Sequence, residues 1–137
     1  MFFDFDTVRW VLNNYIELSH GLWPDPEVDE NITHRKQLSC HAPFENPCLI
    51  AGEVSARVRL CGMDGMLVEE CCGMIAGCPL KPSEIARRRH MDFNEVCNRL
   101  NKVIWYCTDE DGGRRQESYQ DWKRHTHGNR KYRVERR

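Results

Sequence analysis

The chain has 137 residues and a formal net charge of −1. Its composition, 40% hydrophobic and 30% charged, is ordinary for a globular protein, and no apolar run approaches the ~18 residues of a membrane span. The first residues lack the basic start and the small-residue cleavage site of a secretory signal, so we expect a cytoplasmic protein with one domain and appendages.

Apolar spacing and stop signals predict an all-α fold with essentially no sheet. Asp6 is expected to cap the first helix, and prolines from Pro24 to Pro47 indicate a long loop over 22–48. Gly62 and Gly65 are expected to separate the second helix from the third. The predicted helices span 6–19, 49–61, 66–76, 82–90 and 93–106, with a further short helix around 116–124.

Charge divides the chain into unlike parts. Residues 1–80 carry five Lys/Arg against twelve Asp/Glu, whereas residues 81–137 carry fifteen against nine. We therefore predict an acidic N-terminal helical part over 1–62, a helix-turn-helix domain over 63–108 and a basic, flexible tail over 109–137. Such basic arms bind nucleic-acid phosphates without sequence preference, although a solvated tail with no partner is the simpler alternative.

The most informative stretch is 83–100, which predicts two short helices joined by a tight turn. Ile85 and Ala86 share the inner face of the first helix, while Val96 and Leu100 lie four residues apart on the buried face of the second. Asp92 is a good N-cap for that second helix. A small helical pair of this kind is typical of helix-turn-helix proteins, in which the second helix enters the DNA major groove.

The same stretch resembles the promoter-reading region 4 of bacterial sigma factors and its one-domain relatives. The resemblance covers about residues 63–107 and is carried by Glu84-Ile85-Ala86-Arg87-Arg88, Met91-Asp92 and Val96-Cys97-Asn98-Arg99-Leu100-Asn101-Lys102. The sequence departs from the family pattern in two places, since Arg89 stands where a core Leu is usual and His90 where a turn Gly is usual. Arg89 is expected to turn to the DNA backbone or to pair with an acidic side chain of the N-terminal half.

Outward-facing residues on the helical pair are the candidate contacts to double-stranded DNA. Those expected to meet base edges are Phe93, Asn94, Asn98 and Asn101. Those expected to hold phosphates and fix the register are Arg87, Arg88, Arg99 and Lys102.

Size and architecture also resemble phage and prophage late-gene regulators, among them antiterminators that dock on promoter DNA and on RNA polymerase. The resemblance implies a sequence-specific DNA-binding transcription regulator acting with RNA polymerase. Two alternatives stay open. One is a protein-interaction module that docks on polymerase or another partner, and the other is an accessory protein of phage DNA packaging or recombination.

The eight cysteines are expected to be reduced thiols, since a disulfide framework needs an oxidising compartment. Cys40, His41 and Cys48 are weak candidates for a structural zinc site, with His34 or Cys78 as a fourth ligand. Their spacing matches no common zinc finger, so we expect plain loop residues and no cofactor. No nucleophile elbow, phosphate-binding glycine loop or zinc-protease motif is present, which favours a binding protein over an enzyme.

Overall fold

The computed structural model describes residues 2–24, 45–109 and 118–126, and these residues form seven helices. In chain order they are α1 (Phe5–Asn13), α2 (Tyr15–Ser19), α3 (Glu45–Arg59), α4 (Gly62–Cys72), α5 (Pro82–Arg89), α6 (Phe93–Tyr106) and α7 (Tyr119–Thr126). No strand forms within these ranges, so the prediction of an all-α fold is confirmed for the described residues. The bounds of α5 and α6 match their predicted spans to within one residue.

The helix predicted over 6–19 is divided at Asn14. The Asn14 side chain donates a hydrogen bond to the carbonyl of Trp10 at 2.9 Å, and its φ of −119° lies outside the helical range. Such side-chain bonds compete with the helical ladder, and this competition accounts for the break. The cap also differs from the prediction, because Asp4 rather than Asp6 accepts the hydrogen bond from the Thr7 amide, at 2.7 Å.

Helix α3 begins at Glu45, four residues before its predicted start at 49. The sequence prediction treated Pro47 as part of a loop that runs to residue 48. Pro47 is instead the third residue of the helix, where a backbone N–H would have no partner within the helix. Its side chain is fully buried. The predicted loop is therefore too long at its C-terminal end.

Helix α4 contains the residues that were expected to interrupt it. Gly65 lies inside the helix, and its lack of a side chain lets the backbone of α3 approach closely. A Cβ atom at this position would lie 2.3 Å from the Val58 carbonyl oxygen. The helix ends at Cys72, since Gly73 adopts the left-handed conformation with φ 88° and its N–H bonds to the carbonyls of the last turn. The predicted span 66–76 is thus wrong at both ends.

One cluster of buried side chains contains residues from all three predicted parts of the chain, 1–62, 63–108 and 109–137. It includes side chains from α1, α3, α6 and α7, among them Val8, Val11, Val54, Val58, Val96, Val103 and Trp122. Two hydrogen bonds join the segment before α1 to the segment after α6. The Asp109 amide donates to the Phe3 carbonyl at 2.7 Å, and the Phe3 amide donates to Asp109 Oδ2 at 3.0 Å. Arg57 supports this connection by donating to Asp109 Oδ1 at 2.8 Å.

Candidate nucleic-acid interface

The connection between α5 and α6 is a three-residue turn with a defined backbone. His90 adopts the left-handed conformation, with φ 54° and ψ 45°, at the position where the sigma pattern has glycine. The Met91 amide donates to the Ala86 carbonyl at 2.9 Å, which closes the end of α5. The turn therefore keeps a left-handed residue and accepts a modest strain of about 1 kcal/mol for a side chain there.

Asp92 starts α6 as expected from the sequence. Its Oδ2 accepts hydrogen bonds from the amides of Asn94 at 3.0 Å and of Glu95 at 3.3 Å. These bonds satisfy two of the amide groups that every helix leaves unpaired at its start. The beginning of α6 is thereby fixed relative to the turn.

Buried apolar side chains hold the helical pair on the core. Ile85 is 1% exposed, Ala86 6%, Val96 0% and Leu100 8%, which are the four positions that the sequence pattern predicts to face inward. The most extensive helix–helix contact in the described part of the chain joins α6 to α4. The outer face of α6 is consequently carried on a well-packed base.

Several candidate contacts are exposed on the outer surface of the pair. Phe93 is 50% exposed, and Asn94, Arg87 and Arg88 are exposed as well. Asn98 is half-buried. The outer surface of α6 thus offers two asparagines and one aromatic ring, and the neighbouring helix α5 offers two exposed arginines. The exposed carboxylates of Asp92 and Glu95 lie on the same stretch of α6 and its turn.

The remaining candidate DNA contacts are partly buried or already paired with other side chains. Asn101 and Lys102 are half-buried and both have interaction partners. Arg99 donates to Glu95 Oε1 at 2.7 Å and to Asp64 Oδ1 at 3.3 Å, with its side chain 40% exposed. A phosphate group would have to compete with these two carboxylates for Arg99. The pair with Glu95 has the i,i+4 spacing that helix periodicity could have indicated, whereas Asp64 lies 35 positions away.

Arg89 pairs with Glu70, its Nε lying 2.8 Å from Glu70 Oε1. This is the second of the two outcomes expected for the departure from a core leucine, since Glu70 is one of the twelve acidic residues of the segment 1–80. The pair is partly buried, with side-chain exposures of 28% and 19%. It ties α5 to α4 and removes Arg89 from the set of available phosphate contacts.

Sequence reasoning missed a charged cluster centred on Asp64. The Asp64 side chain is 5% exposed, and its Oδ2 accepts hydrogen bonds from the Tyr119 hydroxyl at 2.8 Å and from Lys123 Nζ at 3.1 Å. Burial, together with the hydrogen bond to Asp64, raises the pKa of the Tyr119 phenol well above its ordinary value. The cluster therefore joins α4, α6 and α7, which lie too far apart in sequence for local spacing to reveal it.

Of the three zinc candidates the structure describes only Cys48. Cys40, His41 and His34 lie outside the described residues. Cys48 is exposed and contacts the Ser19 carbonyl, with 3.7 Å between sulfur and oxygen. Among residues 2–24, 45–109 and 118–126, no group of three metal-ligating side chains comes together. The seven cysteines in these ranges are free thiols.

Three large apolar side chains are exposed around the junction of α3 and α4. Leu60 is 55% exposed, Met63 61% and Met66 41%. Met63 and Met66 are three residues apart on α4 and so share one side of the helix. We call these three residues the junction patch.

Comparison with protein-family models, with curated proteins and with solved structures finds no match for this chain. In the part of the chain that the structure describes, every helix is too short or too polar to cross a bilayer.

Proposed function

We propose that the protein binds double-stranded DNA sequence-specifically through the outer face of α6 and acts as a transcription regulator. The observation that carries the proposal is the exposed start of α6, with Phe93 and Asn94, mounted on a base of fully buried side chains. A rigid helix with outward amide side chains is what major-groove reading requires, because Asn can pair with adenine through two hydrogen bonds.

The charged residues divide into two groups under this proposal. Arg87 and Arg88 are exposed on α5, the helix that packs against α6, so under this proposal they serve as phosphate contacts that set the register. Arg99 takes part only when it leaves its carboxylate partners. A regulator of this kind works where the chromosome lies, so the proposal includes a cytoplasmic location. The sigma-region-4 resemblance makes RNA polymerase the expected partner.

The test is selection of bound duplexes from a random pool, followed by titration of the selected site and of random DNA. Asn98→Ala is expected to weaken binding to the selected site by roughly 1–3 kcal/mol and to leave random DNA nearly unaffected. Arg88→Ala is the matched comparison, because loss of a phosphate contact weakens both and lowers the salt slope by about one unit. If the intact protein shows no specific binding at low salt, the proposal fails.

A deletion that tests the basic tail has to leave the buried side chains of α7 in place. Truncation after Thr108 would remove Trp122, which is 1% exposed, and would therefore disturb folding as well as charge. Truncation after Thr126 leaves α7 in place and removes five lysines and arginines. We expect this shorter deletion to weaken binding to selected and random DNA alike.

The junction patch favours a second function, that of a protein-interaction module. Exposed apolar side chains that lie together are often binding surfaces in soluble proteins. Met63 and Met66 share one side of α4, and methionine adapts well to partner surfaces. This function predicts that Met63→Ser reduces capture of RNA polymerase while DNA affinity stays unchanged. Equal capture by the variant and the unmodified protein would count against it.

A further inference from the structure

Asp64 links the proposed reading helix to the tail helix through its two carboxylate oxygens. Oδ1 accepts from Arg99 of α6 at 3.3 Å, while Oδ2 accepts from Tyr119 and Lys123 of α7 at 2.8 and 3.1 Å. The contact to Arg99 is the longest of the three. A single, nearly buried carboxylate thus divides its charge between two helices.

We propose that Asp64 is a positioning residue for Arg99, and that docking of α7 weakens the hold of Asp64 on the Arg99 guanidinium. The inference rests on the DNA-binding function proposed above. The Asp64 carboxylate is largely excluded from water, so its interactions with charged and polar groups are strong. Hydrogen bonds donated to Oδ2 by Tyr119 and Lys123 draw negative charge away from Oδ1. They therefore reduce the attraction of Oδ1 for the Arg99 guanidinium. With Tyr119 and Lys123 in place, the Arg99 guanidinium leaves Asp64 more readily for a DNA phosphate, and the Glu95 carboxylate at 2.7 Å remains to compete. The tail helix therefore adjusts DNA affinity without touching DNA.

Tyr119→Phe is the cleanest test because it changes no charge. The phenylalanine ring keeps the packing of Tyr119 against Tyr106 and Trp122, whose ring centres lie 5.3 and 6.0 Å away, and only the hydrogen bond to Asp64 is lost. Asp64 then holds Arg99 more tightly. DNA affinity is expected to fall about two- to fivefold, which is the range typical of a partly exposed ion pair.

Lys123→Gln provides a second test with a matched control. Arg124 lies on the same helix, but its side chain is 80% exposed and pairs with Asp121 at 3.4 Å. Arg124→Gln removes the same charge from α7 without altering Asp64. Lys123→Gln is expected to lower DNA affinity more than Arg124→Gln does. Equal effects of the two changes, together with no effect of Tyr119→Phe, would overturn the inference and leave the proposed function intact.

A double-mutant cycle identifies the carboxylate as the link. In an Asp64→Asn background, Tyr119→Phe is expected to have no further effect on DNA affinity, and persistence of its full effect would contradict the inference. Circular dichroism and thermal melting check that each variant is folded. If Asp64→Asn fails to fold, the Tyr119→Phe result and the comparison of Lys123→Gln with Arg124→Gln still decide.

A measurement without DNA separates this inference from the proposed function. Rotation of the Arg99 guanidinium can be followed by NMR of its nitrogens, and it is expected to be slower in Tyr119→Phe than in the unmodified protein. Unchanged rotation would refute the inference. Absence of DNA binding by the unmodified protein would refute the proposed function, and the rotation rate alone would then decide the link between Tyr119 and Arg99.

Discussion

Two glycines in neighbouring helices should respond in opposite directions to the same substitution by alanine. Gly52 lies in α3, and a Cβ atom there would meet nothing within 4 Å. Gly65 lies in α4, and a Cβ atom there would be 2.3 Å from the Val58 carbonyl oxygen and 3.2 Å from Cys61 Cβ. The first position is open, and the second is closed by rigid backbone.

Gly52→Ala should raise the free energy of unfolding by about 0.5–1 kcal/mol, because glycine loses more backbone freedom in a helix than alanine does. Gly65→Ala gains the same preference but forces α4 away from α3. Overpacking of this kind typically costs about 1–3 kcal/mol, and the contact here is with a main-chain oxygen that cannot rotate away. We expect a net destabilisation of about 1–2 kcal/mol or more.

Urea denaturation followed by circular dichroism measures both changes on one scale. The reasoning is refuted if Gly65→Ala is as stable as Gly52→Ala, since that would mean that α3 and α4 do not approach as closely as described. Gly65 also adjoins Asp64, so a shift of α4 should be accompanied by changed NMR signals in Tyr119 and Lys123. Gly52→Ala should leave those signals in place.

Two predictions concern ionisable groups whose pKa values are raised. Burial raises the pKa of the Cys72 thiol to about 12, so Cys72 should resist alkylation by iodoacetamide at pH 8 while the exposed Cys48 reacts, as mass spectrometry of the folded protein can check. Since the folded-state pKa of Tyr119 is raised, its contribution to stability is complete below its unfolded pKa of about 10 and is lost as the pH rises further. Tyr119→Phe should therefore lose less stability between pH 9 and 11 than the unmodified protein does.

Residue types and spacings within a few positions were sufficient to predict the bounds and the buried faces of α5 and α6. Asp92 caps α6 as expected from its residue type, and Val96 and Leu100 are buried as expected from their spacing. These features depend on residues within a few positions of each other, which is the range over which sequence periodicity carries information. The same holds for the short tail helix, expected around 116–124 and found at Tyr119–Thr126.

Contacts between segments that are distant in sequence could not be predicted from local residue spacing. Gly65 was interpreted as a helix breaker because glycine has low helix propensity, but close packing against Val58 requires it there. Arg99 was assigned to a phosphate from the sequence. Its pair with Glu95 is local and was overlooked, whereas its contact with Asp64, 35 positions away, has no local signal. Tertiary packing thus decides the role of Gly65 and adds to Arg99 a second partner that its local sequence does not indicate.

The two candidate functions use separate surfaces, so a substitution at one surface leaves the residues of the other unchanged. The face proposed to read DNA lies on α6, whereas the junction patch lies between the end of α3 and the first half of α4. Met63 and Met66 are exposed on α4, which also carries the buried Asp64. A partner seated on the junction patch would contact the helix that carries Asp64 and could alter its hold on Arg99. Binding of a protein at the patch and of DNA at α6 would then be coupled, with each ligand changing the affinity for the other by the same factor.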